Sequence, residues 1–313
     1  MARGAGRIRL NEEETEVMVA DESGGFTAED LPRRVVIAGV GLIGGSIGMR
    51  LKQSGRVENV IGMGRSAERL ARAKQLDAID TIATDWPSAM AEADAVILCG
   101  PVSTIAEAAQ EAWKARRNDH LWISDAGSTK GGIVDAIERT PELAAAFVGG
   151  HPIAGSERSG VEASRADLFE GRSCIVTPTS VSSEQAIDSA TAFWRSLGMK
   201  VVRMDPRSHD QALAATSHLP HVLASVIARS VPVEDHVAAA GAFRDMTRVA
   251  AAEGNLWADI FLANREFLDD SLERHLAEVV QFREILASGS ADALTRWWSE
   301  GRRRRLAYEE KKA

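Results

Sequence analysis

The 313-residue chain is 45% hydrophobic, enough apolar material for one large domain or two ordinary ones. Its 45 acidic and 37 basic side chains leave a net charge of −8, which disfavours nucleic acid as the main partner. No run of about 18 apolar residues occurs, Arg3 and Arg7 are followed by Glu12, Glu13, Glu14 and Glu16 rather than an apolar stretch, and Cys99 and Cys174 are isolated. The expectation is therefore a cytoplasmic protein with no membrane span, targeting signal or disulfide framework.

Residues 1–32 are polar and aperiodic and read as a disordered extension ending near Leu31-Pro32. From Arg33 the pattern changes. Arg34–Ala38 is a short β-branched run closed by glycines, the mark of a buried strand. A helical stretch covers Ile43–Ser54, and a second strand is predicted within Val57–Met63. Further strands fall within Ala93–Gly100, Leu121–Ser124 and Phe147–Gly150, with helical stretches between them, such as Ser103–Arg116. Strand alternating with helix specifies a mostly parallel sheet with crossover helices. Cys174–Val176 and Lys200–Val202 extend the sheet. After Asp205-Pro206 the strand signal ends, and Trp257, Ile260, Phe261 and Asn264 share one helical face. The fold class is α/β: a sheet domain over residues 33–205, then an all-helical domain over 206–313. Arg302–Arg305 reads as a solvated helix end.

Gly39-Val40-Gly41-Leu42-Ile43-Gly44 has the spacing G-x-G-x-x-G between a predicted strand and a predicted helix, the context that gives this pattern its meaning. Gly39 permits the tight turn, Gly41 lets the backbone approach a pyrophosphate, and Gly44 lets helix and strand lie close. The first helical turn, which holds Leu42 and Ile43, offers unpaired N–H groups to phosphate. This makes residues 33–205 a Rossmann-type dinucleotide-binding domain; a glycine-rich turn in some other α/β protein is the alternative. Sites for NAD usually end the second strand with Asp or Glu. Here Gly64-Arg65-Ser66 follows that strand with no carboxylate, and Arg69 lies one turn on. NADP is therefore favoured over NAD, the alternative being a surface turn with the ribose held otherwise. Pro101, which ends the third strand, is a further candidate cofactor contact.

Gly149-Gly150-His151-Pro152 puts a histidine just past a strand, at the edge where open α/β sheets bind ligands. A histidine there can work as acid or base near neutral pH, although a lone one more simply caps its strand. Asp125–Lys130 follows the preceding strand on the same edge, and its Ser128 can hydrogen-bond His151 and fix the tautomer. Ser217-His218-Leu219-Pro220-His221 opens the helical half. The two histidines lack a third ligand at a convincing spacing, so a metal site is rejected.

Taken in order, these segments resemble the prephenate and arogenate dehydrogenase family. The matching pieces are Gly39–Ser46 (GVGLIGGS), Asp125–Lys130 (DAGSTK), His151–Gly160 (HPIAGSERSG), Leu168-Phe169, Thr177-Pro178, Ser217–His221 (SHLPH), Phe243–Ala250 (FRDMTRVA) and Trp257. They run from about residue 33 to about residue 270, and the first 32 residues have no counterpart. The resemblance implies an NAD(P)-dependent oxidative decarboxylation of prephenate or arogenate that gives 4-hydroxyphenylpyruvate or tyrosine. It implies that His151 is the catalytic base on the ring hydroxyl, that Ser128 bonds both that histidine and the substrate or cofactor, and that Arg248 holds a substrate carboxylate. Ser217, His221, Glu157, Asp245 and Trp257 then line or brace the pocket, and the helical domain forms a homodimer. Glu157 can pair with the amine of arogenate or brace Arg248, so both substrates stay open. A dehydrogenase of the β-hydroxyacid type shares the domain plan but uses a lysine on the first long helix of the second domain, and Gln211–Ser230 contains none. A cofactor-sensing protein without turnover is a rival from another class; His151, Ser128 and Arg248 together argue for catalysis.

Overall fold

The structure, a computed structural model, describes residues 31–156 and 158–310 in full, and the backbone alone of Arg7–Ile8 and Val17–Val19. Ten strands form one sheet among the described residues. They are β1 (Arg7–Ile8), β2 (Val17–Val19), β3 (Arg34–Ala38), β4 (Asn59–Met63), β5 (Thr81–Ala83), β6 (Ala95–Leu98), β7 (Trp122–Asp125), β8 (Phe147–Pro152), β9 (Ser173–Thr177) and β10 (Lys200–Arg203). Their order is β1-β2-β10-β9-β8-β7-β6-β3-β4-β5. From β8 to β5 every pairing is parallel.

The period-2 pattern of β3 explains the two layers. Val35 and Ile37 lie in the apolar cluster that also holds Ile47 and Leu51 of α1 (Leu42–Ser54), Leu70 of α2 (Ala67–Gln75) and, beyond the short α3 (Trp86–Ala89), residues of a later helix. Val36 lies in the opposite cluster with Ile105 of α4 (Val102–Ala115), Ile133 of α5 (Gly131–Ile137) and Leu143 of α6 (Pro141–Ala146). The later helix on the first face is α7 (Glu184–Ser196), whose Phe193 and Trp194 are fully buried. Strands with helices on both faces are buried on both sides, which is why β6 reads as an unbroken apolar run.

The sheet departs from the sequence expectation in three places. It reverses at β9, which pairs antiparallel with β8 through His151↔Ile175, while β9 and β10 run parallel to each other. β5 is too short to show a period. Val17–Val19 and Arg7–Ile8 are strands where a disordered extension was expected; β2 runs antiparallel to β10 and so covers the ladder of that strand's free side. The rest of residues 1–30 lies outside the described residues.

Beyond the sheet the described chain is helical: α8 (Pro206–Leu213), α9 (Leu219–Ser230), α10 (Gly241–Thr247), α11 (Gly254–Ala263), α12 (Arg265–Ala287) and α13 (Ala291–Glu310). The boundary placed at 205 from the sequence marks where strands end, but packing divides the chain further on. Residues up to Asn264 form one compact unit and Arg265–Ala313 another. The reason lies in α11: Ile260 is buried in the same cluster as α4, and the Asp259 carboxylate accepts the Ser103 N–H of α4 at 3.1 Å. The second unit is a pair of helices in which Phe282 and Trp297 meet at 4.9 Å.

Candidate active site

β3 ends where the strand order switches direction, since β4 lies on one side of it and β6 on the other. A crevice opens at such a point, at the carboxyl ends of the strands. Gly39 turns there with φ of +101°, and an added Cβ would lie 2.7 Å from the Cys99 backbone. At Gly44 a Cβ would lie 2.2 Å from Gly39 O, so helix and turn meet backbone to backbone. Gly41 starts α1 without a side-chain cap, and no atom lies within 4 Å of where its Cβ would be. The first-turn N–H groups, at Leu42 and Ile43, therefore fit a phosphate. Ser164 bonds the Gly41 and Leu42 carbonyls at 3.1 Å each, and Arg165 N–H donates to Ser46 Oγ at 3.0 Å, so the loop after β8 is tied to this helix start. Gly39 N–H donates to Met63 O at 2.8 Å, which brings the end of β4 alongside. Gly64 and Arg65 are exposed there, and Ser66 caps α2 by accepting from Arg69 N–H at 3.2 Å. Pro101 is exposed just before α4.

His151 lies near the end of β8. A buried ion pair sets its backbone: Asp125 pairs with Lys130, accepts from Gly127 N–H at 2.8 Å and accepts from Gly150 N–H at 3.1 Å. Both charged side chains are fully buried, and leaving one of them unpaired costs about 3–5 kcal/mol. Gly150 is required because a Cβ there would lie 2.7 Å from Asp125 O and from Trp194 Nε1.

The Nδ1 atom of His151 lies 2.9 Å from Nε2 of His209, and Nδ1 of His209 lies 2.8 Å from Oδ1 of Asp210. Asp205 caps α8 by accepting from Arg207 and Ser208 N–H at 3.0 Å each, which fixes His209 and Asp210 in the following turn. The chain continues through Asn264, whose Nδ2 donates to Asp210 O at 2.8 Å and to His218 Nδ1 at 3.0 Å. His218 belongs to a π-helical turn, Ala214–His218, between α8 and α9. Pro220 lacks the N–H of a regular ladder and crowds the carbonyl four residues back, and the Leu219 N–H reaches Ala214 O instead. The turn leaves Ser217 O to accept from His221 Nδ1 at 2.8 Å, and His221 stacks on Trp257 at 3.6 Å.

Among the residues expected from the sequence, His151, Ser217, His221 and Trp257 thus belong to one contiguous network. Arg248 lies near enough to His221 to help hold its pKa down. Ser128 is half-buried on the loop between β7 and α5, and among the described residues no hydrogen bond joins it to His151, whose Nδ1 is held by His209. Asp245 is exposed and paired with its neighbour Arg244 at 3.5 Å. Glu157 lies outside the described residues. His209 and Asp210 carry no motif and were not expected from the sequence, the Asp-Pro helix start before them being the one signal; Asn264 was placed on the Trp257 face but given no role.

The electrostatics keep these imidazoles neutral. Burial lowers His151 well below the usual histidine value, and the neighbouring His209, Lys130 and His218 add to the effect by opposing a further positive charge. Burial lowers His209 as well, against the opposing bond to Asp210. His218 falls to about 4, chiefly by burial, and its Nδ1 is held as an acceptor by Asn264. A histidine depressed in the folded state makes stability fall with acid: above about pH 6.5 neither state binds the proton, and below it only the unfolded chain does. His218 should therefore weaken the fold progressively from about pH 6.5 down to about pH 4. His218→Gln keeps an acceptor for Asn264 but does not titrate. In urea unfolding between those limits its stability should fall less steeply with pH, by up to about one proton, or about 1.4 kcal/mol per pH unit. An unchanged slope would show that His218 titrates normally.

Three comparisons bear on this site. Residues 47–203 match the family described as "Prephenate dehydrogenase, nucleotide-binding domain", and residues 205–300 match "Prephenate dehydrogenase, dimerization domain". The chain is 34% identical over 287 residues to a cyclohexadienyl dehydrogenase of Zymomonas mobilis, covering 88% of this chain and 96% of that one. It is 32% identical over 270 residues to a prephenate dehydrogenase of Bacillus subtilis, covering 84% and 73%. Its fold aligns with a prephenate dehydrogenase of Aquifex aeolicus, solved in complex with hydroxyphenyl propionate and NAD+, with a TM-score of 0.81, 31% identity and coverage of 88% and 98%. No described helix is long and apolar enough to cross a membrane. With a shared two-part plan and relatives this similar along most of its length, the chain belongs to the prephenate dehydrogenase family.

Proposed function

We propose that the chain catalyses the oxidative decarboxylation of prephenate or arogenate, with NADP favoured over NAD. The observation that carries the reading is His151 at the carboxyl edge of the sheet, its Nδ1 held from behind by His209 and its ring kept neutral by burial. The relatives named prephenate and cyclohexadienyl dehydrogenases support the substrate class. Gly39, Gly41, Leu42, Ile43 and Gly44 hold the pyrophosphate, and Pro101 and Ser128 lie on loops of the same edge. When bound, the nicotinamide supplies the hydride acceptor. His151 Nε2 takes the proton of the ring hydroxyl, which helps that carbon release its hydride. The ring carboxylate leaves as carbon dioxide and the ring becomes aromatic, which supplies the driving force. Arg248 holds a carboxylate of the substrate, for which a guanidinium fork is suited. Ser217, His221 and Trp257 line that side of the pocket, with Glu157 and Asp245 as further substrate contacts.

The test is the appearance of reduced cofactor with prephenate and with arogenate. The wild-type enzyme should turn over at least one of them. His151→Asn should lower kcat by about 10²- to 10⁴-fold with cofactor affinity unchanged, and Arg248→Ala should act mainly by raising KM. Near-native kcat in His151→Asn removes that residue from the chemistry, and substrate affinity preserved in Arg248→Ala removes the arginine from binding.

The cofactor preference rests on the end of β4. Gly64 has room for a larger group, its nearest neighbour to an added Cβ being Leu70 at 3.7 Å. Arg65 and Arg69 are exposed beside it, and the Ser66 hydroxyl, which accepts from Arg69 N–H, still has its own proton to donate. Each charge-assisted contact to a 2′-phosphate is worth about 1.5–3 kcal/mol, a preference of about tenfold or more. Wild type should have the higher kcat/KM with NADP, and Gly64→Asp should erode or reverse that by repelling the phosphate. A wild type that prefers NAD contradicts the assignment, as does a ratio untouched by Arg65→Ala.

A further inference from the structure

The arrangement behind His151 points beyond a lone base. We infer that His209 is a positioning residue and proton acceptor for His151, and that Asp210 sets the direction of the whole chain of hydrogen bonds. The inference rests on the reading of His151 as the base and deepens it.

The direction follows from counting donors. Asp210 is anchored by a second element: its Oδ1 accepts the Lys130 N–H at 2.7 Å and its Oδ2 accepts the Gly131 N–H at 2.8 Å, both at the start of α5. Both of its oxygens therefore serve as acceptors, and a carboxylate has no proton of its own to give. The 2.8 Å contact to His209 therefore needs its proton on Nδ1 of His209. A neutral His209 then presents a bare Nε2. The 2.9 Å contact to His151 needs a donor on the other side, so Nδ1 of His151 carries the proton. Nε2 of His151 is left as a lone pair, the form a general base requires. Asp210 thus selects the tautomer of a ring it does not touch.

Burial favours this neutral arrangement and Lys130 adds to it, whereas the Asp210 and Asp125 carboxylates pull His209 the other way. Lys130, Asp125 and Asp210 face His209, and His209, Lys130 and His218 face His151. Burial and the Lys130 ammonium disfavour a protonated ring at rest, so His209 does not occupy its Nε2 with a proton of its own.

The same chain handles the proton once chemistry begins. Nε2 of His151 forms a bond to the proton of the substrate hydroxyl as the O–H bond breaks. Nδ1 of His151 gives its proton to Nε2 of His209. His151 is neutral again with its proton on Nε2, and His209 carries protons on both nitrogens, its Nδ1–H still on Asp210. The positive charge has moved one ring back, from a half-buried imidazole to one paired with a carboxylate. The proton goes no further than His209, and it returns through Nε2 of His151 when product leaves.

Two variants test this in the full-length protein. In Asp210→Asn the side-chain amide can donate to Nδ1 of His209. That reverses the chain and puts a proton on Nε2 of His151, which blocks the base. In His209→Gln the side-chain carbonyl can still accept from Nδ1 of His151 but cannot carry a proton away. The expected result is a fall in kcat of about 10²-fold or more for Asp210→Asn and about tenfold or more for His209→Gln. KM and the dissociation constant for the cofactor should stay within about threefold of wild type, with circular dichroism unchanged. A purely structural role would move KM, cofactor affinity or folding along with kcat. Should Asp210→Asn fail to fold, having lost part of the anchor on α5, His209→Gln alone decides. A folded variant with kcat within about threefold of wild type overturns the inference, and so does a loss confined to KM. If wild type is active and both variants stay active, only the relay fails. A wild type inactive on both prephenate and arogenate overturns the substrate reading and the relay with it.

Discussion

The Asp210 carboxylate accepts from three donors: two backbone N–H groups at the start of α5 and the imidazole of His209. Its own backbone carbonyl receives Asn264, which in turn holds His218. A buried carboxylate is stable only when its oxygens are satisfied, so this group fixes where α8 can lie on the sheet. That placement brings His209 behind His151, and α8 leads directly into the π-helical turn that carries Ser217 and His218.

The cofactor edge obeys a different constraint, that of space. Turn, helix and neighbouring strand meet at Gly39 and Gly44 with backbone against backbone. Nothing larger fits without moving β3 or α1, and the helix start that results is open to an anion. Ser164 then links that helix start to the loop after His151 through the Gly41 and Leu42 carbonyls. Rigid placement of separate groups is how an enzyme with little covalent chemistry of its own gains rate.

The legible parts of this molecule were those with a local period or a local steric need. The apolar runs of β3 and β6 and the glycine spacing announce a buried parallel strand and a tight turn. His151 alone read as a strand cap; it could be picked out because the Asp125–Lys130 and Ser217–His221 segments accompany it. The reversal at β9 was hidden because buried parallel and antiparallel strands read alike over five residues. β1 and β2 owe their pairing to the free side of β10, which no local pattern reveals. His209 and Asp210 escaped notice for a similar reason: they lie 58 and 59 positions from His151, in a helix whose sequence marks only its Asp-Pro start. Pro220 was visible, but its effect on the ladder before it is a matter of tertiary fit. The contact expected between Ser128 and His151 followed from their shared edge position; the partner found on the Nδ1 of His151 is His209 of α8, which no local pattern announces.

The protonation of the His151 ring can be observed without turnover. Labelling the seven histidines with 15N, and assigning His151 and His209 by their loss in His151→Asn and His209→Gln, gives the state of each nitrogen from its chemical shift. At pH 7 both rings should be neutral, with protons on Nδ1 and bare Nε2 atoms. A His151 that carries its proton on Nε2, or that is an imidazolium at this pH, would contradict the account.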